Sequence, residues 1–95
     1  MYKIFISKAA KKAAKRLPSV VREKVIVLCR EIIAKNPRSV HKLHKPLDAC
    51  YSYHFKMNNV HYRIAYIILE KEERIDVVLI GVRENFYKRL KQIIR

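Results

Sequence analysis

The spacing of apolar residues changes near the middle of the chain. Up to about residue 36 they recur every three or four positions, as Ala9, Ala10, Ala13, Ala14 and Leu17, then Val21, Val25, Leu28 or Cys29, Ile32 and Ile33. From residue 51 they alternate, as Tyr51, Tyr53 and Phe55, then Val60, Tyr62, Ile64, Tyr66 and Ile68. The first spacing gathers apolar groups on one side of a helix, and the second gathers them on one face of a strand. A chain that uses the two patterns in succession is confined to segregated helical and sheet layers, an α+β architecture.

Tyr2, Ile4 and Ile6 alternate with Lys3 and Phe5 and predict a short strand ahead of the helices, with Ser7 placed to cap the first helix. Pro18 divides the helical stretch into a hairpin, and the second helix must stop near Asn36-Pro37, because a proline disfavours helix at the residue before it. Residues 37–48 carry Arg38, His41, Lys42, His44 and Lys45 without any period and read as a basic loop. Asn58-Asn59 predicts a turn between the alternating stretches. The run Glu70-Lys71-Glu72-Glu73 leads to a third strand, Ile75 to Gly81, and Phe86, Leu90, Ile93 and Ile94 predict a closing helix. The expected order is β-α-α-β-β-β-α: an N-terminal strand, a helical hairpin, a three-stranded antiparallel meander and a C-terminal helix. Ninety-five residues suit one such domain, spanning 1–95, that buries roughly 65% of its surface on folding.

Charge narrows the partner. The chain has 22 Lys and Arg against 8 Asp and Glu, a net +14, with +10 of it in residues 1–48. A polyanion is the default ligand of such a surface. Two cysteines are too few for a disulfide framework, and no signal segment opens the chain, which predicts a cytoplasmic protein with reduced thiols. The longest nearly apolar stretch, Ile64 to Leu69, is too short to span a bilayer, so no membrane partner is expected.

Strand parity places Ser52, His54 and Lys56 on one face of their strand and His61, Arg63 and Ala65 on one face of the next. If the aromatic side packs under the helices, the opposite face carries His54, Lys56, His61 and Arg63 together, an open cationic patch with two groups that titrate near neutrality. Arg83 follows the last strand and the only glycine, and Tyr87 lies one helical turn beyond it. An arginine and a tyrosine beside a cationic sheet suit a phosphate and an unstacked base. The histidines lack metal-ligand spacing, there is no phosphate-cradling glycine loop, and the carboxylates are scattered, so neither a metal nor another cofactor is expected. Cys29 falls on the apolar side of its helix, where burial explains it better than nucleophilic chemistry.

Leu43 to Leu47, Cys50-Tyr51-Ser52-Tyr53, His61-Tyr62-Arg63-Ile64-Ala65-Tyr66 and Ile80-Gly81-Val82-Arg83-Glu84-Asn85-Phe86-Tyr87 occur in an order that resembles the RelE-type toxins of the RelE/ParE toxin–antitoxin superfamily over nearly the whole chain. The resemblance implies a curved antiparallel sheet backed by the helical hairpin, and metal-free cleavage of messenger RNA in the ribosomal decoding site. It implies that Arg63 and Arg83 are the catalytic arginines and that Tyr87 stacks on or orients the substrate. Ser52 and His54 stand where such toxins place lysines, and Val82 where a basic residue is frequent. Chemistry then favours His54 as the base, since its reference pKa near 6.5 needs little adjustment. Lys56, His61, Lys42 and Lys45 are the remaining candidates for substrate contact. The resemblance also implies an acidic cognate antitoxin, which the exposed apolar edge of the final helix, Phe86, Leu90 and Ile94, could contact. The messenger RNA, the ribosome and its RNA are the other expected partners, and the free toxin is expected to be a monomer. ParE-like relatives that poison DNA gyrase, and a basic RNA-binding module without catalysis, are the alternatives.

Overall fold

The computed structural model describes residues 1–94. Its elements are β1 (Lys3–Ile6), α1 (Lys8–Ala14), α2 (Ser19–Leu28), β2 (His41–Lys42), β3 (Cys50–Met57), β4 (Val60–Leu69), β5 (Arg74–Val82) and α3 (Phe86–Ile94). The expected class and order stand, with two additions to the meander, because the sheet has five strands in the order β1-β5-β4-β3-β2. β1 lies parallel to β5, with Ile4 beside Ile75. His41–Lys42, expected as loop, pairs antiparallel with Ser52 and Tyr51. A four-residue strand carries no mark of its partner, and a two-residue strand is too short to show alternation.

Ser7 caps α1 by accepting from the Ala10 amide at 3.1 Å. Ala10 and Ala13 are buried, and their small side chains let α1 run along β5 beyond the point where β1 ends. The second helix buries both Leu28 and Cys29 because it widens into a π turn over Cys29–Ile33, in which the Ala34 amide donates to the Cys29 carbonyl at 2.8 Å. The extra residue in that turn brings Ile33 and Ala34 to the core and leaves Ile32 exposed.

Apolar layers cover both faces of the sheet. On one, Val21, Val25 and Leu28 pack against Tyr62, Ile64, Tyr66, Ile75, Val77 and Ile80. On the other, Leu47, Cys50, Ala65 and Leu79 pack with Phe86 and Leu90 of α3. Phe86 and Leu90 are 0% exposed, so they are core residues and not the outward edge of the final helix; Ile94 is half-buried against the same layer. This second layer also closes half of the face expected to be open.

β5 changes phase partway. Ala65 pairs with Leu79 and Tyr66 with Val77, which leaves Val78 as the extra residue of a β-bulge. Ile75 and Val77 therefore face the hairpin, as do Ile80 and Val82, while Leu79 turns to the α3 side. Ser7 serves the bulge as well as the helix, since its amide donates to the Val77 carbonyl at 3.0 Å and its hydroxyl to that of Val78 at 3.4 Å.

Tyr66, fully buried, donates its hydroxyl to the Pro37 carbonyl at 2.5 Å and ties the sheet to the segment leaving the π turn. Tyr66→Phe leaves that buried carbonyl without its donor and should cost about 1–3 kcal/mol. The change should appear as a lower urea midpoint at unchanged slope; an unchanged midpoint would show that the bond adds nothing net.

Candidate active site

Cross-strand register builds the site in rows. His54 of β3 lies opposite Arg63 of β4, which lies opposite Gly81 of β5. Two residues outward, Lys56 lies opposite His61, and the Arg83 amide donates to the His61 carbonyl at 2.9 Å. Two residues inward, Ser52, Ala65 and Leu79 form a buried row. Alternate residues share a face, so one dry row is followed by two that carry cations and imidazoles.

α3 roofs the inner row. Asn85, at a left-handed φ of 59°, turns the chain from β5 into the helix. Phe86 anchors the helix in the core, and Tyr87 lies over the row. The Arg63 guanidinium stands 4.6 Å from the Tyr87 ring centroid, a cation–π contact. The Tyr87 hydroxyl is 3.2 Å from His54 Nε2, and Ser52 Oγ is 3.0 Å from the same nitrogen. At Gly81 a Cβ would come within 3.2 Å of Arg89 Nη1, so the guanidinium of Arg89, from α3, takes the space that a side chain in this row would fill.

The His54 imidazole is held below its ordinary value of 6.5, chiefly by burial of the ring, then by the Arg63 charge, then by His41. The His41 ring centroid is 6.0 Å away. A neutral imidazole beside a permanent cation can take up a proton, and the cation can hold an oxyanion. The ion pairs among the described residues, Lys35–Glu31, Arg38–Glu70 and Arg74–Asp76, do not involve the cations of this face.

The structure thus brings His54, Arg63 and Tyr87 together. Arg83 and His61 stand in the outer row and line an open groove with Asn59, Val60 and Glu84, and Lys56 is exposed in that row. Lys42 and Lys45 are exposed on β2 and the segment after it. Ser52 departs from expectation: it is 0% exposed instead of part of a solvated face, because the α3 layer covers its row. Sequence reasoning missed both its contact with His54 and the position of Arg89. Serine and histidine two residues apart on one strand were the sign of the first, and nothing in the helical spacing marks the second.

Both cysteines are free and buried. Burial pushes the Cys29 thiol up to about 11, and burial and then Asp48 raise that of Cys50, so neither is an activated nucleophile. Among the described residues no three His, Cys, Asp or Glu side chains gather so as to hold a metal ion. No helix among them is long and apolar enough to cross a membrane.

The fold is that of the RelE toxins. The chain superposes on the RelBE2 toxin–antitoxin complex of Mycobacterium tuberculosis with a TM-score of 0.78, at 18% identity over 86% of this chain and 98% of that one. It superposes on the intact E. coli RelBE complex at 0.70, with 24% identity over 88% and 99%. A mutant of the E. coli toxin RelE in the free state gives 0.77, with 22% identity over 98% of both chains. No curated protein matches the sequence. Residues 4–91 match the family model of the ParE-like toxin of type II bacterial toxin–antitoxin systems, and the chain belongs to that family. It is a type II toxin of the RelE/ParE superfamily.

The ring environment makes a pH prediction. The folded pKa of His54 lies below 6.5, so between the two values the unfolded chain binds more protons. The contribution of His54 to stability is then complete above 6.5 and is lost as the pH falls through the folded value. Titration of the His54 ring by NMR should give a midpoint below 6.5 that moves upward in Arg63→Gln; an unmoved midpoint would assign the shift to burial and His41 alone.

Proposed function

We propose that this toxin is a metal-independent endoribonuclease that cleaves messenger RNA in the ribosomal A site and so inhibits translation. The observation that carries the reading is the convergence of a neutral imidazole, a guanidinium and a phenol, with Arg63 4.6 Å from the Tyr87 ring and the Tyr87 hydroxyl 3.2 Å from His54 Nε2. RNA supplies its own nucleophile, so a base, a cationic clamp and an orienting group suffice. His54 takes the proton of the 2′-OH, and the 2′-oxygen bonds to the adjacent phosphorus. The bond from phosphorus to the 5′-oxygen breaks, leaving a 2′,3′-cyclic phosphate, and the 5′-oxygen takes its proton from water. Arg63 holds the charge that gathers on the phosphoryl oxygens in fork geometry. Arg83, one row outward and roughly 7 Å along the sheet, supplies a second cation. Tyr87 steadies His54 through its hydroxyl. Lys56, His61, Lys42 and Lys45 extend the cationic track for flanking phosphates.

The +14 charge also fits an acidic antitoxin that silences the toxin in the cytoplasm, and two of the structural relatives are toxin–antitoxin complexes. The family model, which carries the ParE name, favours a second reading, a DNA gyrase inhibitor without RNase activity. The convergence on His54 supports cleavage, since gyrase binding requires no base beside a guanidinium.

In a purified translation system, primer extension should reveal cuts within ribosome-occupied codons and none on the same RNA without ribosomes. His54→Ala and Arg83→Ala should each lower the rate about 10²-fold or more. Full activity in the His54 variant would remove it as the base. Intact RNA with gyrase-dependent DNA breaks would support the second reading, and intact RNA and DNA would leave a basic RNA-binding module.

A further inference from the structure

The two-residue strand β2 brings a second imidazole to the site. His41 pairs with Ser52 across the β2–β3 register, and Ser52 shares a face of β3 with His54, so His41 stands diagonally beside His54 on that face. The ring centroids are 6.0 Å apart at an interplanar angle of 42°. The Leu43 amide donates to the Cys50 carbonyl at 2.9 Å, which continues the pairing past β2 and fixes the backbone on which His41 stands. His41 is exposed and takes part in none of the ion pairs among the described residues. The groups around the His54 ring then divide by element. Arg63 is its partner on the β4 side, Ser52 and Tyr87 meet at Nε2, and His41 holds the β2 side.

We infer that His41 is the general acid of the cleavage, supplying through one water the proton that the departing 5′-oxygen takes up. The inference rests on the proposed RNA cleavage and names the group behind the water of that reaction. In-line displacement puts the 2′-oxygen and the 5′-oxygen on opposite sides of one phosphorus, so base and acid must flank a single phosphate, as side chains on neighbouring strands can. An arginine keeps its protons at working pH, so Arg63 and Arg83 hold charge without supplying this proton. An imidazole can release one near neutrality. Two imidazoles this close resist carrying two protons together. The charge of His41 is one of the causes that keep His54 deprotonated, and His41 lies one strand further than His54 from Arg63. The shared proton therefore rests on His41. In the reaction His54 takes the 2′-OH proton as the 2′-oxygen bonds to phosphorus. The bond from phosphorus to the 5′-oxygen breaks as the water donates to that oxygen and His41 donates to the water. His54 ends protonated and His41 neutral, and exchange with solvent restores the starting pair.

The test uses messenger RNA whose scissile phosphate carries sulfur in place of the bridging 5′-oxygen, with cuts on ribosomes read by primer extension. A thiolate leaves without a proton, because a thiol is a far stronger acid than an alcohol. His41→Ala should cut ordinary RNA about 10²-fold or more slowly than wild type. It should cut the sulfur-bridged RNA at the wild-type rate, which also shows that the variant is folded. His54→Ala should be slow on both, since the 2′-OH still needs its base. Equal slowing of His41→Ala on both RNAs would make His41 a contact for substrate only, and an undiminished rate on ordinary RNA would remove it from the reaction. Either result overturns the inference and leaves the cleavage reading standing. Wild-type protein that cuts neither RNA would overturn the cleavage reading itself, and the acid with it.

Discussion

The bulge at Val78 is the constraint on which the site depends. Ile75 and Val77 face the helical hairpin, and unbroken alternation would send residues 79, 81 and 83 the same way. One extra residue reverses that phase, so that Leu79 completes the α3 layer and Gly81 comes into line with Arg63 and His54. The bulge sits where β1 gives way to α1. At that junction Ser7 ends the parallel strand, caps the helix and bonds to the carbonyls of Val77 and Val78. A serine at the edge of the sheet is thus bonded to the bulge that brings the site's third strand into phase.

A face that gathers the guanidinium groups of Arg63 and Arg89 must be held against their mutual repulsion. Two unit charges 4 Å apart repel by about 1 kcal/mol in water and about 4 kcal/mol near a protein surface. Phe86 and Leu90, both fully buried, contribute roughly 1.5–3 kcal/mol each through burial. They seat α3, and α3 carries Tyr87 and Arg89 over the row. Apolar anchoring thus offsets a like-charge cost of this order, and among the described residues no carboxylate forms an ion pair with these cations. An anion entering the site meets unpaired charge, the condition under which electrostatic stabilisation is largest.

Much of this was legible in the chain, and the failures share a cause. The helical spacing from Ala9 to Ile33 and the alternation from Tyr51 to Ile68 marked both layers, because each records burial on one side only. Parity alone put His54 and Arg63 on one face with Lys56 and His61, and the structure adds that His54 and Arg63 are cross-strand partners. The run Val77 to Ile80 is apolar at every position, so it carried no trace of a bulge; a strand covered on both faces has no alternation to interrupt. Ser52 was misread as solvated because parity gives a face and not its cover, and the cover is α3, which arrives more than thirty residues later. The β1–β5 pairing and the reach of Arg89 to Gly81 are likewise contacts between distant segments.

The choice of histidine in the central row follows from what the cover does. Burial and a neighbouring guanidinium both depress the pKa of a cationic acid. A lysine at position 54 would need to fall by more than three units from its reference near 10.4 to be neutral at pH 7, whereas histidine starts near 6.5. The same two forces that a lysine would need in large measure are needed only slightly here, and at His54 burial acts first and Arg63 second. Ser52 and Tyr87 then fix the ring by converging on one nitrogen, at 3.0 and 3.2 Å. Nε2 offers one lone pair or one N–H, so the two hydroxyls at 3.0 and 3.2 Å compete for a single hydrogen bond to it. A lysine in this row would need stronger burial or more neighbouring cations to be neutral at pH 7; histidine needs little of either.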